Sequence, residues 1–246
     1  MFYQSIRIQI AIITKLINNT KFKIDKGDHL LDTHTHILWN IDDGSKNQCM
    51  SLQMLEIAAR SGTKAIFATP HVIERANKPS WEEIKEKTQQ LRQLCAEAQI
   101  DIMLYPGAEV QMNWELLPEL GATGAYCLNG GRYLLIELPA AEIPAYADEF
   151  WYELELKGIT PILAHPERYQ QLRENPDLLL LWRRRGMLMQ CNSGSFTGMF
   201  GSSVCENAKV LLANGLVDLL GSDGHRSEGR NTDMSRAAAV IRQLAG

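Results

Sequence analysis

Residues 159–168 read Ile159-Thr160-Pro161-Ile162-Leu163-Ala164-His165-Pro166-Glu167-Arg168, a short apolar run that ends on a histidine and then an acid and a base. The run suits a buried strand, and a helical pattern follows it, opened by Asn175-Pro176 and ending near Gly186. The same order recurs along the chain. Leu30-Leu31 leads into Asp32-Thr33-His34-Thr35-His36, Lys64 to Ala68 into Thr69-Pro70-His71, and Leu216 to Gly221 into Ser222-Asp223-Gly224-His225. Ile100 to Tyr105 precedes Glu109, Arg132 to Ile136 precedes Glu137, and Met187 to Cys191 is one more strand. Between them, Ser80-Trp81-Glu82-Glu83 is a capping box opening a polar helix to about Gln99, and Ala145 to Lys157 is amphipathic and stopped by Gly158. Seven strand-then-helix units predict an α/β fold whose parallel sheet closes into a barrel. In a barrel the residues after the strands meet at one mouth, where active sites lie.

What gathers there is a ligand set. Five of the six histidines fall in those clusters, joined by Asp42-Asp43-Gly44, Glu109 and Glu137. Residues two apart at an extended strand end point the same way, so His34 with His36, and Asp223 with His225, can share an ion. Imidazole nitrogens and carboxylate oxygens without thiolates suit Zn, Mn or Fe(II) in a hydrolytic cluster for two or three ions. Alone, His71 or His165 reads as a hydrogen-bonded core or loop residue; four clusters in register at strand ends turn the reading. His29 belongs to none and takes the structural reading.

Length and composition agree. The 246 residues carry no Pro/Gly/Ser-rich linker or repeat, so one domain is expected, with residues 1–29 a separate N-terminal extension and 30–246 the barrel. A hydrophobic fraction of 45% supports a sizeable core, and net charge −4 leaves no electrostatic footprint for nucleic acid. The five cysteines, odd in number and without CxxC spacing, fit reduced thiols in a cytoplasmic protein. None lies six residues before an arginine, which excludes the Cys-x5-Arg phosphatase chemistry. In the extension, Ile6, Ile8, Ile10 and Ile12 alternate like a strand, while Ile10, Ile13, Leu16 and Ile17 suit a helix. Arg7 and Gln9 break its apolar stretch, so neither a signal peptide nor a membrane span is expected; packing on the barrel is, with membrane-surface contact the lesser reading.

Asp-x-His-x-His, Ile41-Asp42-Asp43-Gly44, Ala68-Thr69-Pro70-His71, Pro106-Gly107-Ala108-Glu109, Leu135-Ile136-Glu137-Leu138-Pro139, His165-Pro166-Glu167-Arg168-Tyr169, Asn192 to Gly198 and Ser-Asp-x-His together resemble the polymerase-and-histidinol-phosphatase (PHP) superfamily. Within it the chain is most similar to the bacterial manganese-dependent protein-tyrosine phosphatases of capsule and exopolysaccharide gene clusters, from about Leu31 to Leu244. The resemblance implies a distorted (β/α)7 TIM-like barrel and two to three divalent ions, Mn2+ foremost, with Fe or Zn as alternatives. It implies one ion on His34, His36, Glu109 and Asp223, a second on Glu109, Glu137 and His165, and a third on Asp43, His71 and His225. Catalytic roles fall to Arg168, Arg230 and Asp43. The implied partner is a phosphotyrosine protein, an autophosphorylating tyrosine kinase of polysaccharide export. One departure stands out: the relatives have a Pro-Gly turn where this chain has Trp39-Asn40.

The chemistry expected of such a set is general. Coordination lowers the pKa of bound water from 15.7 towards about 7, supplying a metal-bound hydroxide, and paired ions stabilise an in-line displacement. Arg168 and Arg230 stand three and five residues past ligands, where guanidinium groups can take phosphate oxygens. Arg226 has a weaker claim, and Arg183-Arg184-Arg185 reads as a solvated helix end. Trp39, and with it Trp81 and Trp114, either wall a substrate ring or pack beneath loops, with packing favoured for Trp39. The rival readings are a small-molecule phosphatase such as histidinol phosphatase, and a metal-binding regulatory protein without turnover.

Overall fold

The computed structural model describes residues 29–121 and 124–245. The expectations for the extension, strand or helix at Ile6 to Ile17 and contact with a membrane surface, fall outside the described residues. Among the described residues the nine short strands are β1 (Leu30–Thr35), β2 (Thr63–Ala68), β3 (His71–Val72), β4 (Met103–Pro106), β5 (Glu109–Gln111), β6 (Tyr133–Glu137), β7 (Thr160–Ala164), β8 (Leu188–Asn192) and β9 (Leu219–Gly221). All their pairings are parallel, in the orders β1-β2-β4 and β3-β5-β6-β7-β8-β9.

The two sheets are one wall with two breaks. Thr69-Pro70 separates β2 from β3, and Gly107-Ala108 separates β4 from β5. Backbone bonds carry the wall across: Gly107 N donates to Ala68 O (2.9 Å) and Glu109 N to Pro70 O (3.0 Å), for which a proline lacking its own N–H is no obstacle. Counted by position there are seven strands, and the first meets the last through Asp223 N to His34 O (2.7 Å), His36 N to Gly224 O (3.0 Å) and a Thr35–Gly224 bridge. This is a distorted (β/α)7 barrel.

Helices α1 (Gln48–Arg60), α2 (Trp81–Glu97), α3 (Ala147–Leu156), α4 (Gln170–Glu174), α5 (Pro176–Arg184), α6 (Ser193–Phe196), α7 (Ser202–Ala213) and α8 (Ser235–Ala245) cover its outside. Ser80 Oγ accepts from Glu83 N and caps α2, which buries Ile84, Thr88, Leu91 and Cys95 at helical spacing. Pro176 opens α5, whose Trp182 Nε1 donates to Asp148 Oδ1 of α3 (2.8 Å), and the Trp151 and Trp182 rings pack edge to face at 5.6 Å. Two expectations are corrected. Among the described residues the unit after β5 has no α-helix: Pro118, together with Gly121, Gly124 and Gly130 at positive φ, leaves only 3-10 turns at Trp114–Glu119 and Leu128–Gly130. Arg183 is not merely solvated, because its guanidinium pairs with buried Asp218.

Strand alternation sorts the two faces. Leu134 and Ile136 of β6 face the helices, whereas Tyr133 and Leu135 join Phe67, Ile162, Ala164 and Leu219 in a separate apolar plug inside the barrel. Glu137 continues the inward parity of Tyr133 and Leu135 above the plug, as Asp32, His34 and His36 share one face of β1 and its extension. The inward-facing histidines and carboxylates therefore stand at the mouth, above this apolar plug.

Candidate metal centre

His34 and His36 are fully buried, and their Nε2 atoms face each other at 3.1 Å. The far nitrogens set this orientation. His34 Nδ1 donates to Gln190 Oε1 (2.9 Å), and His36 Nδ1 to Asp42 Oδ2 (2.7 Å), so each ring, when neutral, turns the lone pair of its Nε2 toward the same point. His225 is set likewise by its Nδ1 donating to Asp223 O (2.9 Å). Around that point stand Glu109 Oε2, at 3.1 and 3.3 Å from the His34 and His36 nitrogens, and Asp223 Oδ1, at 3.5 and 3.4 Å.

Glu109 is central. Its Oε2 lies 3.1 Å from His71 Nδ1 as well, and its Oε1 lies 2.9 Å from His165 Nε2, so this one buried carboxylate meets four imidazoles. Glu137 Oε1 is 3.4 Å from His71 Nδ1, and Asp43 Oδ1 is 3.4 Å from His225 Nε2 and 3.8 Å from His71 Nε2. All nine expected ligands meet at the barrel mouth. Their grouping differs in part from the implied one. Ligand atoms lie within 4.8 Å of one another in His36-Asp43-His71-His225, His34-His36-Asp223, His34-Glu109-His165 and His71-Glu109-Glu137. Of the residues implied for the second ion, His165 groups with His34 and Glu137 with His71, with Glu109 common to both groups.

These residues fit divalent ions on structural grounds. Asp223 Oδ1 and His71 Nδ1 are buried without a hydrogen-bond partner, which costs free energy unless something positive engages them. The donors are nitrogen and oxygen only. Charge follows suit: burial would raise the carboxyls of Glu109 and Asp223, yet the imidazoles, His34 foremost, and for Asp223 also Arg230, hold both well below the carboxylate range. Burial would lower the imidazoles too, but Glu109 and Asp223 raise His34, and Asp42 above all raises His36. His225 is lowered by burial and by the nearby His36.

The expected phosphate groups stand beside the cluster. Asp223 Oδ2 accepts from Asn192 Nδ2 (2.6 Å), Arg168 Nη1 (3.2 Å) and Arg230 Nη2. Arg226 does something else: its Nη1 donates to the carbonyls of Gly44 (2.7 Å) and His225 (2.9 Å) and so clips the Asp43 loop to the His225 loop. Asp43 is 66% exposed and Arg168 33%, so the mouth opens on their side. At the Trp39-Asn40 departure Asn40 takes φ +51°, a left-handed conformation Asn tolerates, and its N–H donates to Ser45 O (2.8 Å). Gly44 is required below it, because a Cβ there would stand 2.2 Å from His36 O. Trp39 packs half-buried on the core under Lys87, Trp81 packs near Tyr126, and Trp114 remains 44% exposed against Tyr146 and Phe150.

Several residues act as supports, a role the sequence reading does not assign them: Asp42 counts there with the ligand set, and Glu167 only within the His165 motif. Asp42 accepts from His36, from His71 N (3.0 Å) and from Gly44 N (2.8 Å). Glu167, buried, accepts from Asn192 N (2.8 Å) and Ser195 Oγ (2.6 Å) and anchors the turn in which His165 takes φ +36°. Gln190 announces itself as an amide in the apolar run Met187 to Cys191, a signal available in the sequence.

Residues 30–246 match the family described as capsular polysaccharide synthesis, CpsB/CapC. The tyrosine-protein phosphatase YwqE of Bacillus subtilis is 34% identical over 217 residues, covering 88% of this chain and 85% of that protein. A crystal structure from the work on YwqE of B. subtilis and CpsB of Streptococcus pneumoniae, described there as metal-dependent tyrosine phosphatases, superposes with TM-score 0.82 at 34% identity over 87% of each chain. Histidinol phosphate phosphatase of Lactococcus lactis, solved with zinc, histidinol and phosphate, superposes with TM-score 0.59 at 17% identity, covering 88% of this chain and 94% of that one, a likeness of fold.

Proposed function

The chain belongs to the CpsB/CapC family, and we propose that it is a metal-dependent protein-tyrosine phosphatase working through the nine-residue centre and the Arg168–Arg230 pair. The observation that carries this reading is the division of Asp223. One oxygen, Oδ1, is buried, unpartnered and turned to His34 and His36; the other, Oδ2, is held by Arg168, Arg230 and Asn192. A single carboxylate thus joins a cation-binding cluster to a pair of guanidinium groups, the arrangement a phosphoryl group between metal and arginine requires.

His34, His36, Asp43, His71, Glu109, Glu137, His165, Asp223 and His225 are the proposed ligands. Divalent ions held by them supply an activated water and positive charge for the phosphoryl oxygens. Five imidazoles and four carboxylates without a thiolate suit Mn2+, Fe or Zn, of which Mn2+ is the ion we favour. Arg168 and Arg230 grip the non-bridging oxygens, Asp43 stands at the open side, and the apolar plug keeps bulk water from the floor of the site. The open mouth suits a ring carried on a protein, and the substrate we favour is a phosphotyrosine protein of capsule or exopolysaccharide synthesis, an autophosphorylating kinase in the cytoplasm. No described helix is long and apolar enough to cross a membrane.

Asp223→Asn tests the reading. It keeps the shape but removes the charge shared by both halves of the site, so metal content and kcat/KM on a phosphotyrosine peptide are both expected to fall, the latter by about 100-fold or more. Loss of neither contradicts the proposal.

A further inference from the structure

The two arginines share a second neighbour besides Asp223. Cζ of Arg168 lies 4.7 Å, and Cζ of Arg230 5.6 Å, from the centroid of the Phe200 ring. They reach it from either side in sequence, one just past β7 and the other past β9. Phe200 is half-buried and sits in the short segment between α6 and α7.

That segment is shaped to place the ring. Gly198 (φ +81°) and Gly201 (φ +93°) flank it in left-handed conformations, and Met199 N donates back to Gly194 O (2.9 Å). A Cβ on Gly194 would stand 3.1 Å from Phe200 Cε2 and 2.9 Å from Met199 Sδ, so the ring and its neighbour lie directly on the backbone of α6. Phe196, four residues earlier, is the ring of this stretch that enters the core, at 2% exposure.

We propose that Phe200 is a positioning residue of the phosphate site, holding Arg168 and Arg230 through its π system so that their N–H groups stay converged beside Asp223 Oδ2. The proposal rests on the reading of these arginines as the phosphate-binding pair. Two guanidinium groups at one carboxylate oxygen repel each other, and one negative charge offsets only one of them. An aromatic ring within about 6 Å attracts both cations without accepting their hydrogen bonds, leaving N–H groups free for an incoming anion. Arginines held in place beforehand also lose less side-chain entropy when phosphate binds. The role is distinct from packing, because an aliphatic residue fills space but has no quadrupole.

The test compares Phe200→Leu, Phe200→Tyr, Arg168→Ala and the unaltered full chain, each loaded with Mn2+. The readouts are the dissociation constant of inorganic phosphate by calorimetry, kcat and KM on a phosphotyrosine peptide, metal content and Tm. Phe200→Leu is expected to weaken phosphate binding and lower kcat/KM by about 2- to 30-fold, with metal content unchanged, while Phe200→Tyr stays near the unaltered protein. Equal behaviour of Leu and Tyr, whether both silent or both impaired, overturns the positioning role. Arg168→Ala separates the two layers of argument. If it weakens phosphate while Phe200→Leu does not, only the Phe200 proposal fails; if it leaves phosphate binding intact, the phosphate reading of the arginines fails and takes the proposal with it.

Discussion

Asp42 touches no ion in this account, yet its removal is expected to loosen the centre. Its carboxylate is 1% exposed and accepts three hydrogen bonds, from His36 Nδ1 (2.7 Å), His71 N (3.0 Å) and Gly44 N (2.8 Å). The first fixes the tautomer in which His36 Nε2 faces the cluster, the second fixes the backbone of another ligand, and the third shapes the loop that carries Asp43. Asp42→Ala leaves the His36 Nδ1–H and two amides without their acceptor in a buried place, at about 1–3 kcal/mol for each donor that water does not reach. Loss of a residue that orients a metal ligand lowers affinity about 10- to 100-fold, which is about 1.4–2.8 kcal/mol. Because His36 belongs to two of the ligand groups, both should weaken, whereas the pairing of Glu109 with His165 should not. Competition against a chelating dye measures the affinities, and imidazole nitrogen shifts in NMR report the His36 tautomer. Asp42→Asn keeps an acceptor but not the charge and should fall between. Affinity within about twofold of the unaltered protein, or an unchanged tautomer in Asp42→Ala, refutes the reasoning.

Two further outcomes follow from the same geometry. Glu109→Ala removes the carboxylate shared by four imidazoles and should lower bound metal by more than one equivalent, whereas Asp43→Ala, at the exposed edge, should lose mainly one; equal and full occupancy in both, by elemental analysis, contradicts the arrangement. In metal-free protein the pKa values of His34 and His36 are raised and that of buried Asp32 is pushed up to about 6, so the folded chain holds extra protons and its stability declines as pH rises through those values. The Tm of the EDTA-treated protein should therefore fall from pH 6 upward, and metal, which needs the neutral imidazoles, should stabilise more at pH 8 than at pH 6; an opposite slope rejects the assignment of these histidines.

The clusters were legible because a strand end imposes a parity of two. Once Asp32, His34 and His36 are placed on β1, their common direction follows, and the barrel brings Glu109, His165 and Asp223 to the same mouth. The distances between the ligands were not legible, since they depend on how His71, on β3 beyond the Thr69-Pro70 break, lies against Glu109 and Glu137. Among the described residues the α-helix expected after β5 is absent for a local reason, a proline and three glycines at positive φ in one connection. Gln190 and Asn192 belong to β8 but act on His34 of β1 and Asp223 beyond β9, partners joined only by folding. Phe200 is the extreme case: nothing in its own segment names the two arginines it meets.

The most direct test of the central claim is to titrate metal back into EDTA-stripped protein while measuring phosphotyrosine-peptide hydrolysis and bound metal together. The account predicts background rates without metal, recovery with Mn2+ that saturates only beyond one equivalent, and indifference to iodoacetamide, because Cys95, Cys127 and Cys191 are buried and no thiol joins the centre. Full hydrolysis by metal-free protein, or activity lost to thiol alkylation with metal still bound, would contradict it.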